Sequence, residues 1–244
     1  MKKVRLSILA ATVAASMLQS TSLQAQNILY WQDFVMGTSV LPGAVSQFAS
    51  SRIGVTAVGA TSQGDFLTQL TGSTWDLVIY GQQGGQTYSS FAGALSTYLT
   101  GGGKVLGANW TSDAYDSDMG VSAASYNGSQ VSGVGPLFAG VSSPLQLIDV
   151  GWNIYSRGYT GAGTCLANID SGGCAAQLGN SGRTLMLAPL FDTYTSQADG
   201  QQFVANSIDY LLPNTVVPEP GSVVLVAAGL LGVAVTARRR RVVP

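Results

Sequence analysis

An uncharged run of seventeen residues, 221–237, lies near the end of the chain and is followed at once by Arg238, Arg239, Arg240 and Arg241. At about 1.5 Å per residue, a helix of this length spans about 25 Å, close to the hydrocarbon thickness of a bilayer. Arginines beside a membrane helix stay on the cytoplasmic side. A buried core helix is the alternative, but such helices seldom abut an arginine block. We therefore expect a transmembrane helix over 221–237, a cytoplasmic basic tail over 238–244 and an inner-membrane-anchored precursor whose body lies outside.

The amino end of the chain predicts the same topology. Lys2, Lys3 and Arg5 precede an apolar run over residues 8–17, and small residues lead up to Ala25. This order is typical of a secretory signal peptide. We assign residues 1–25 to a signal peptide and expect the mature chain to begin near Gln26.

The segment between these two ends has its own composition. Residues 26–213 are long enough for one domain with a substantial core. Up to Val217, the body holds four basic residues and eleven aspartates, for a net charge of −7. Such a charge argues against nucleic-acid binding, which depends on neutralising phosphates. Histidine is absent from the whole chain, so the commonest general base and metal ligand is missing.

A short linker, 214–220, joins the body to the apolar run and ends in Val217, Pro218, Glu219 and Pro220. The order of this motif, an apolar helix and an arginine cluster resembles the PEP-CTERM sorting signal of Gram-negative bacteria. The resemblance implies processing by an exosortase and delivery to the cell envelope, the cell surface or the extracellular polysaccharide layer. The prolines favour an extended linker that a protease can grip.

The same tail also shares features with two other sorting signals. The stretch "LPNTV" over 212–216 is similar to the LPxTG sortase signal, but Val216 replaces the glycine of that motif. A lipid anchor of the GPI type also uses small residues, a spacer and an apolar tail. That anchor gives no reason for the arginines.

Short apolar runs and helical segments alternate along the first half of the body, which predicts an α/β fold with a mostly parallel sheet and helices on both faces. The second half, from Trp110 to about Gly140, is expected to be rich in loops. Order returns with Leu145–Val150 and the cysteine region. The predicted strands are Ile28–Trp31, Gly54–Gly59, Leu77–Tyr80, Lys104–Ala108 and Thr184–Ala188. The predicted helices are Val40–Ser51, Gly64–Leu70, Tyr88–Leu99 and Gln201–Leu212.

The element order and the stretches "WDLVIYG", "LSTYLTGGGKVLGANW" and "RTLMLAPLFDTY" resemble the class I glutamine amidotransferase-like group of flavodoxin-type folds. In that family a sharp turn after the strand that matches Lys104–Leu106 carries a nucleophilic cysteine. Asn109 stands at that position here, and Pro189–Asp192 stands where the family histidine would fall. An amide is no substitute for a thiolate. The resemblance therefore implies a domain that has lost this chemistry, and we expect a non-catalytic binding or structural module.

A crevice is expected at the carboxyl ends of the parallel strands. Amides beside aromatic rings suit a sugar or polymer segment, such as extracellular polysaccharide, although these residues could also be polar loop positions without a ligand. The expected lining is Tyr80, Gln82, Gln83, Asn109, Trp110, Asp113 and Asp192.

Two further hypotheses rest on aspartates. Asp113, Asp116 and Asp118 could hold calcium through oxygen ligands, although their spacing is not that of an EF-hand and a solvated acidic loop is the alternative. Otherwise we expect no cofactor. Asp113 or Asp116 together with Asp192 could serve as the paired carboxylates of a secreted hydrolase acting on envelope polysaccharide.

Cys165 and Cys174 are the only cysteines. Because an exported chain meets an oxidising compartment, we predict a disulfide between them. The stretch "CLANIDSGGC" also resembles a hairpin that turns at Ser171 and Gly172. In that register Cys174 would face Ile169, so either the turn is a wider loop or the cysteines do not pair.

Overall fold

The computed structural model describes residues 21–23, 25–84, 87–151, 156–213 and 216–218. Residues 1–24 and 214–244 form one compact unit, and Ala25–Pro213 form another. In the first unit, strand β1 (Thr21–Leu23) pairs antiparallel with β13 (Val216–Pro218). Most of the predicted signal peptide, Glu219, Pro220, the helix over 221–237 and the basic tail lie outside the described residues. Among those described, no helix is long and apolar enough to cross a bilayer.

The body, Ala25–Pro213, contains an eleven-stranded mixed sheet and five α-helices within its described residues. The strands are β2 (Gln26–Gln32), β3 (Val55–Gly59), β4 (Leu77–Gln82), β5 (Val105–Asn109), β6 (Ser122–Tyr126), β7 (Gln130–Gly133), β8 (Leu145–Gln146), β9 (Arg157–Thr160), β10 (Cys165–Ile169), β11 (Cys174–Gly179) and β12 (Thr184–Leu187). The helices are α1 (Leu41–Ser50), α2 (Gln63–Gly72), α3 (Ala92–Thr100), α4 (Asp113–Asp118) and α5 (Gln197–Leu211).

Five strands in the order β3-β2-β4-β5-β12 are parallel, and they confirm the predicted α/β class. Strands β4 and β5 are buried at every position, which explains their continuous apolar runs. The chain leaves β2 towards β3 and then crosses back to β4. Right-handed crossovers therefore place α1 and α2 on opposite faces. Accordingly, α1 packs with α5, and α2 packs with α3.

The sheet continues beyond β12 through antiparallel strands in the order β11-β10-β7-β8, while β9 joins β6 to β11. The prediction of a loop-rich stretch over 110–140 is wrong, because α4, β6 and β7 lie there. These strands pair with distant partners, for example Gly133 with Ala167. Their short sequences carry little periodicity of their own.

The predicted disulfide is present. Cys165 and Cys174 are bonded, and their Cα atoms lie 5.6 Å apart. Strands β10 and β11 form the predicted hairpin, but two register shifts place Cys174 opposite Asn168 and not opposite Ile169. The irregular register lets the hairpin and the disulfide coexist.

Arg52 joins the two ends of the body. Its Nη1 donates to Gln26 Oε1 at 3.3 Å and to the Leu212 carbonyl at 2.5 Å. The guanidinium also pairs with Asp209 and lies 4.3 Å from the centroid of the Phe48 ring. Strand β2 thus begins, and helix α5 ends, at the same edge of the sheet. We call this edge, where the parallel strands start, the amino edge, and the opposite one the carboxyl edge.

Candidate functional site

The carboxyl edge holds a half-buried carboxylate that sequence reasoning missed. Asp33 follows β2 directly, and its Oδ1 accepts from the backbone N–H groups of Gln83 at 2.7 Å and Gly84 at 3.0 Å. The hydroxyls of Thr87 and Tyr80 donate to its Oδ2. Burial raises the pKa of Asp33, although these hydrogen bonds oppose the rise. Its position in the sequence could have revealed it. Asp33 follows a predicted strand directly, and the carboxyl ends of parallel strands are where side chains meet to form a site.

Asp192 lies in the same region but is fully buried. Its Oδ2 accepts from the backbone N–H groups of Met36 at 2.8 Å and Gly37 at 3.1 Å. The Gln83 side chain, with its amide nitrogen turned to its acceptors, donates to the Phe34 carbonyl at 3.0 Å and to Asp192 Oδ2 at 3.1 Å. Asp192 and Gln83 therefore hold the loop after β2 by hydrogen bonds to its backbone. They do not face the open crevice that the sequence predicted.

Asn109, which the sequence resemblance set at the position of a nucleophilic cysteine, is also fully buried. Its Oδ1 accepts from the N–H groups of Thr111 at 2.9 Å and Ser112 at 3.0 Å. Its Nδ2 donates to the Ser112 carbonyl at 2.7 Å and to Asp116 Oδ1 at 2.6 Å. Two acceptor and two donor bonds use the full capacity of an amide. The predicted role of Asn109 as a crevice residue is therefore corrected: it shapes the turn that begins α4.

Arg157 forms an ion cluster beneath this turn and was likewise missed from the sequence. Its side chain is 2% exposed, and its Nη2 lies 3.0 Å from Oδ2 of Asp116, which is 1% exposed. The same nitrogen pairs with Asp113, whose side chain is 90% exposed. Arg157 is one of only four basic residues in the body, and that scarcity was the available signal.

The three aspartates of the calcium hypothesis already have partners within the protein. Asp113 and Asp116 pair with Arg157, while Asp118 accepts a hydrogen bond from the Tyr88 hydroxyl. Within the described part of the chain, no group of three or more acidic, cysteine or histidine side chains could hold a metal ion. This arrangement corrects the calcium hypothesis, because a guanidinium occupies the place that a cation would need.

The remaining predicted crevice residues also lie beneath the surface. Gln82 is fully buried and Gln83 is 2% exposed. Trp110 is half-buried, and its Nε1 donates to the Gln83 carbonyl at 2.7 Å. By contrast, Phe34, Val35 and Met36 are 42%, 44% and 43% exposed. The amides therefore support an apolar loop, where the sequence predicted a polar lining.

Stability is expected to depend on pH through Asp116. Burial raises its pKa to about 6, against the opposing effects of Asn109 and Arg157. Because the folded pKa exceeds the ordinary value, the folded state loses stability from this group as pH rises from 4 through 6. In Asp116→Asn the amide cannot ionise. The free energy of unfolding of this variant minus that of wild type should therefore rise by about 2 kcal/mol between pH 4 and pH 7.

The measurement is urea denaturation of both proteins at each pH. Asp65→Asn is the control, because hydrogen bonds from Thr61 lower the pKa of this partly exposed residue. Its difference from wild type should shift in the opposite direction. A difference for Asp116→Asn that stays constant or falls with pH contradicts the prediction.

Solved structures similar to this chain include several amidotransferases. A glutamine amidotransferase from Thermotoga maritima is 14% identical, with a TM-score of 0.48, over 85% of this chain and 95% of that one. One from Methylobacillus flagellatus is 6% identical, with a TM-score of 0.49, over 80% of this chain and 97% of that one. A ThuA-like protein from Parabacteroides merdae is 11% identical, with a TM-score of 0.45, over 79% of this chain and 92% of that one.

At the level of sequence, no curated protein matches the chain. A protein-family model does match its end, over residues 216–241. The matched range contains the four residues Val217, Pro218, Glu219 and Pro220, the apolar run and the arginines. Residues 216–241 are a PEP-CTERM protein-sorting motif.

Proposed function

We propose that this chain is an exported protein of the cell envelope or extracellular matrix whose body is a non-catalytic binding or structural module. The PEP-CTERM motif implies export, envelope sorting and recognition by an exosortase-type enzyme. The precursor is held by a helix over 221–237 in the inner membrane of a Gram-negative cell until it is processed. Extracellular polysaccharide is the ligand class that fits such a location.

The non-catalytic role is supported chiefly by Asn109. A nucleophile needs a free reactive atom beside a base. Here the side chain at that turn is an amide with all four hydrogen-bonding positions occupied. Histidine, the usual base, is absent from the sequence.

The alternative is a secreted hydrolase of envelope polysaccharide that uses Asp113 or Asp116 with Asp192. Glycoside hydrolysis needs two carboxyl groups that both reach the scissile bond. Asp192 is fully buried and accepts from two backbone N–H groups, while Asp116 is buried against Arg157. Neither position favours contact with a substrate. Asp149, an exposed aspartate outside the proposed pairs, is the control. Release of reducing ends from dextran or hydroxyethylcellulose, lost in Asp192→Asn and retained in Asp149→Asn, would support the hydrolase and overturn the proposal.

Sorting is tested by the intact mass of the protein in membrane and extracellular fractions. The mature species should begin near Gln26 and end close to Pro218. Glu219→Ala, which removes the only glutamate of the chain, should leave most of the protein in the membrane fraction with its arginines retained. Thr215→Ala, in the same linker but outside the Pro-Glu-Pro motif, is the matched control and should be processed normally. A secreted form that retains Arg241 contradicts the sorting proposal.

A further inference from the structure

Two clefts lie at the amino edge, opposite the crevice that the sequence predicts. Their volumes are about 620 and about 420 Å³, and both are lined by Ser73, Thr74 and Trp75 of the loop between α2 and β4. The larger cleft extends to Asn27, Thr56 and Thr71. The smaller one extends to Tyr98 and the glycine turn 101–103. Trp75 is therefore common to two adjoining cavities.

The aromatic side chains of these clefts are held in fixed positions. Trp75 is half-buried against the core, and its Nε1 donates to the Gln69 carbonyl at 2.8 Å. The Tyr98 hydroxyl donates to the carbonyls of Trp75 and Lys104, each at 3.2 Å. A Cβ at Gly103 would lie 2.4 Å from the Tyr98 ring, so glycine is needed for this packing. Rings that are already immobilised lose little entropy when a ligand stacks on them.

The polar lining of the clefts is largely uncharged. Thr56, Thr71, Ser73 and Thr74 are exposed and offer hydroxyl groups. The smaller cleft also contains two charged side chains, Asp76 and Lys104, and both have partners within the protein. Asp76 Oδ2 accepts from the Asn27 N–H at 2.8 Å, and Lys104 Nζ donates to the Leu211 carbonyl at 2.7 Å.

These properties select a class of ligand. A phosphate or carboxylate needs cationic or clustered N–H donors, whereas the lysine here already has a partner and the body has a net charge of −7. A sugar ring presents an apolar face of C–H groups and a rim of hydroxyls. An aromatic ring packs against the first, and neutral hydroxyl and amide side chains hydrogen-bond with the second. The open clefts on both sides of one tryptophan suit several consecutive sugar units.

We propose that the amino edge binds a neutral polysaccharide chain, with Trp75 as the stacking platform and the hydroxyls of Thr56, Thr71, Ser73 and Thr74 as hydrogen-bonding partners. This inference rests on the proposed function as a binding module. It places the ligand of that module at the edge of the sheet where the last helix of the body ends, with Leu212 in the lining of the smaller cleft.

The test is native affinity electrophoresis of the full chain in detergent, through gels that contain hydroxyethylcellulose, dextran or the anionic polymer alginate. Retardation is expected in at least one neutral polymer and not in alginate. Trp75→Ala should weaken the apparent association constant about five- to tenfold, as expected for loss of an aromatic contact. The double variant Thr71→Ala with Thr74→Ala replaces two exposed side chains, of which Thr71 also donates to the Leu67 carbonyl of its own helix. It should weaken the association constant as well and guards against misfolding of the tryptophan variant. Thermal melting verifies that each variant is folded.

Trp110→Ala is the matched control, because this half-buried tryptophan lies at the carboxyl edge. Its retardation should equal that of wild type. If retardation is lost in Trp110→Ala and retained in Trp75→Ala, the amino-edge site is overturned while the proposed binding function survives. Retardation by none of the neutral polymers, or by alginate alone, also overturns the site. Release of reducing ends during the run would instead contradict the non-catalytic function.

Discussion

Replacing Arg157 with methionine is expected to lower the free energy of unfolding by about 3–5 kcal/mol at pH 7. Arg157 is 2% exposed, and its partner Asp116 is 1% exposed. Methionine fills a similar volume but leaves the Asp116 carboxylate buried without its cation. A buried charge that loses its partner destabilises a fold far more than the intact pair stabilises it. Urea denaturation at pH 7 measures the loss.

The control for this variant is Asp113→Asn. Asp113 pairs with the same nitrogen of Arg157, but its side chain is 90% exposed, so the expected loss is about 1 kcal/mol or less. The cost of Arg157→Met should also shrink at pH 4.5, where Asp116, whose pKa is raised to about 6, is protonated. Equal losses in the two variants, or a loss that does not change with pH, would show that the carboxylate is not the cause.

Replacing Asn109 with alanine is expected to cost about 2–4 kcal/mol of stability. The substitution removes four hydrogen bonds and leaves the Thr111 and Ser112 N–H groups and Asp116 Oδ1 without this partner. Each buried polar group left unsatisfied costs about 1–3 kcal/mol, and partial relaxation of the turn reduces the sum. Chemical denaturation gives the value.

Asn168→Ala is the comparison for Asn109→Ala, since Asn168 is an exposed residue of β10. Its expected change lies within about 0.5 kcal/mol. Asn109→Asp should keep the bonds from Thr111 and Ser112 but place a second carboxylate against Asp116, so its loss should grow as pH rises. If Asn109→Ala left the free energy of unfolding nearly unchanged, the turn would not depend on this amide. The main support for a non-catalytic turn would then be removed.

The central strands of the parallel half, β4, β5 and β12, could be predicted because they are buried at every position and their composition is therefore mainly apolar. The run Leu77–Tyr80 appears as the fully buried strand β4, which extends to Gln82. Burial on both faces demands continuous apolar residues, and the sequence displays them directly. The antiparallel half has no such local signal. Strands β6 and β7 gain their stability from β9 and β10, which lie some 30 to 40 residues away in the chain.

The site was predicted less well than the fold. Strand order placed Gln83, Asn109 and Asp192 at the correct edge, but it did not show that their side chains bind one another and the backbone. Asp33 and Arg157 were missed because their importance comes from the partners that folding brings to their charged groups, which residue type alone does not reveal. The clefts beside Trp75 arise where the ends of helices α2 and α3 and the starts of strands meet, and no single segment encodes that junction.

The sequence by itself determined the sorting motif, and it is also the source of the expectation that amidotransferase chemistry is lost. Both depend only on which residues stand in which order: Pro-Glu-Pro before an apolar run and arginines, asparagine in place of cysteine, and no histidine. Only the tertiary structure decided which polar groups support the fold and which face solvent. It pairs Asp113 with Arg157 across 44 residues and brings the Asp192 carboxylate to the Met36 N–H across 156. The Asp192 contact forms because parallel strands bring distant loops to one edge, and the Arg157 contact forms because antiparallel pairing brings β9 beside β6, next to α4. Both are properties of the packed sheet.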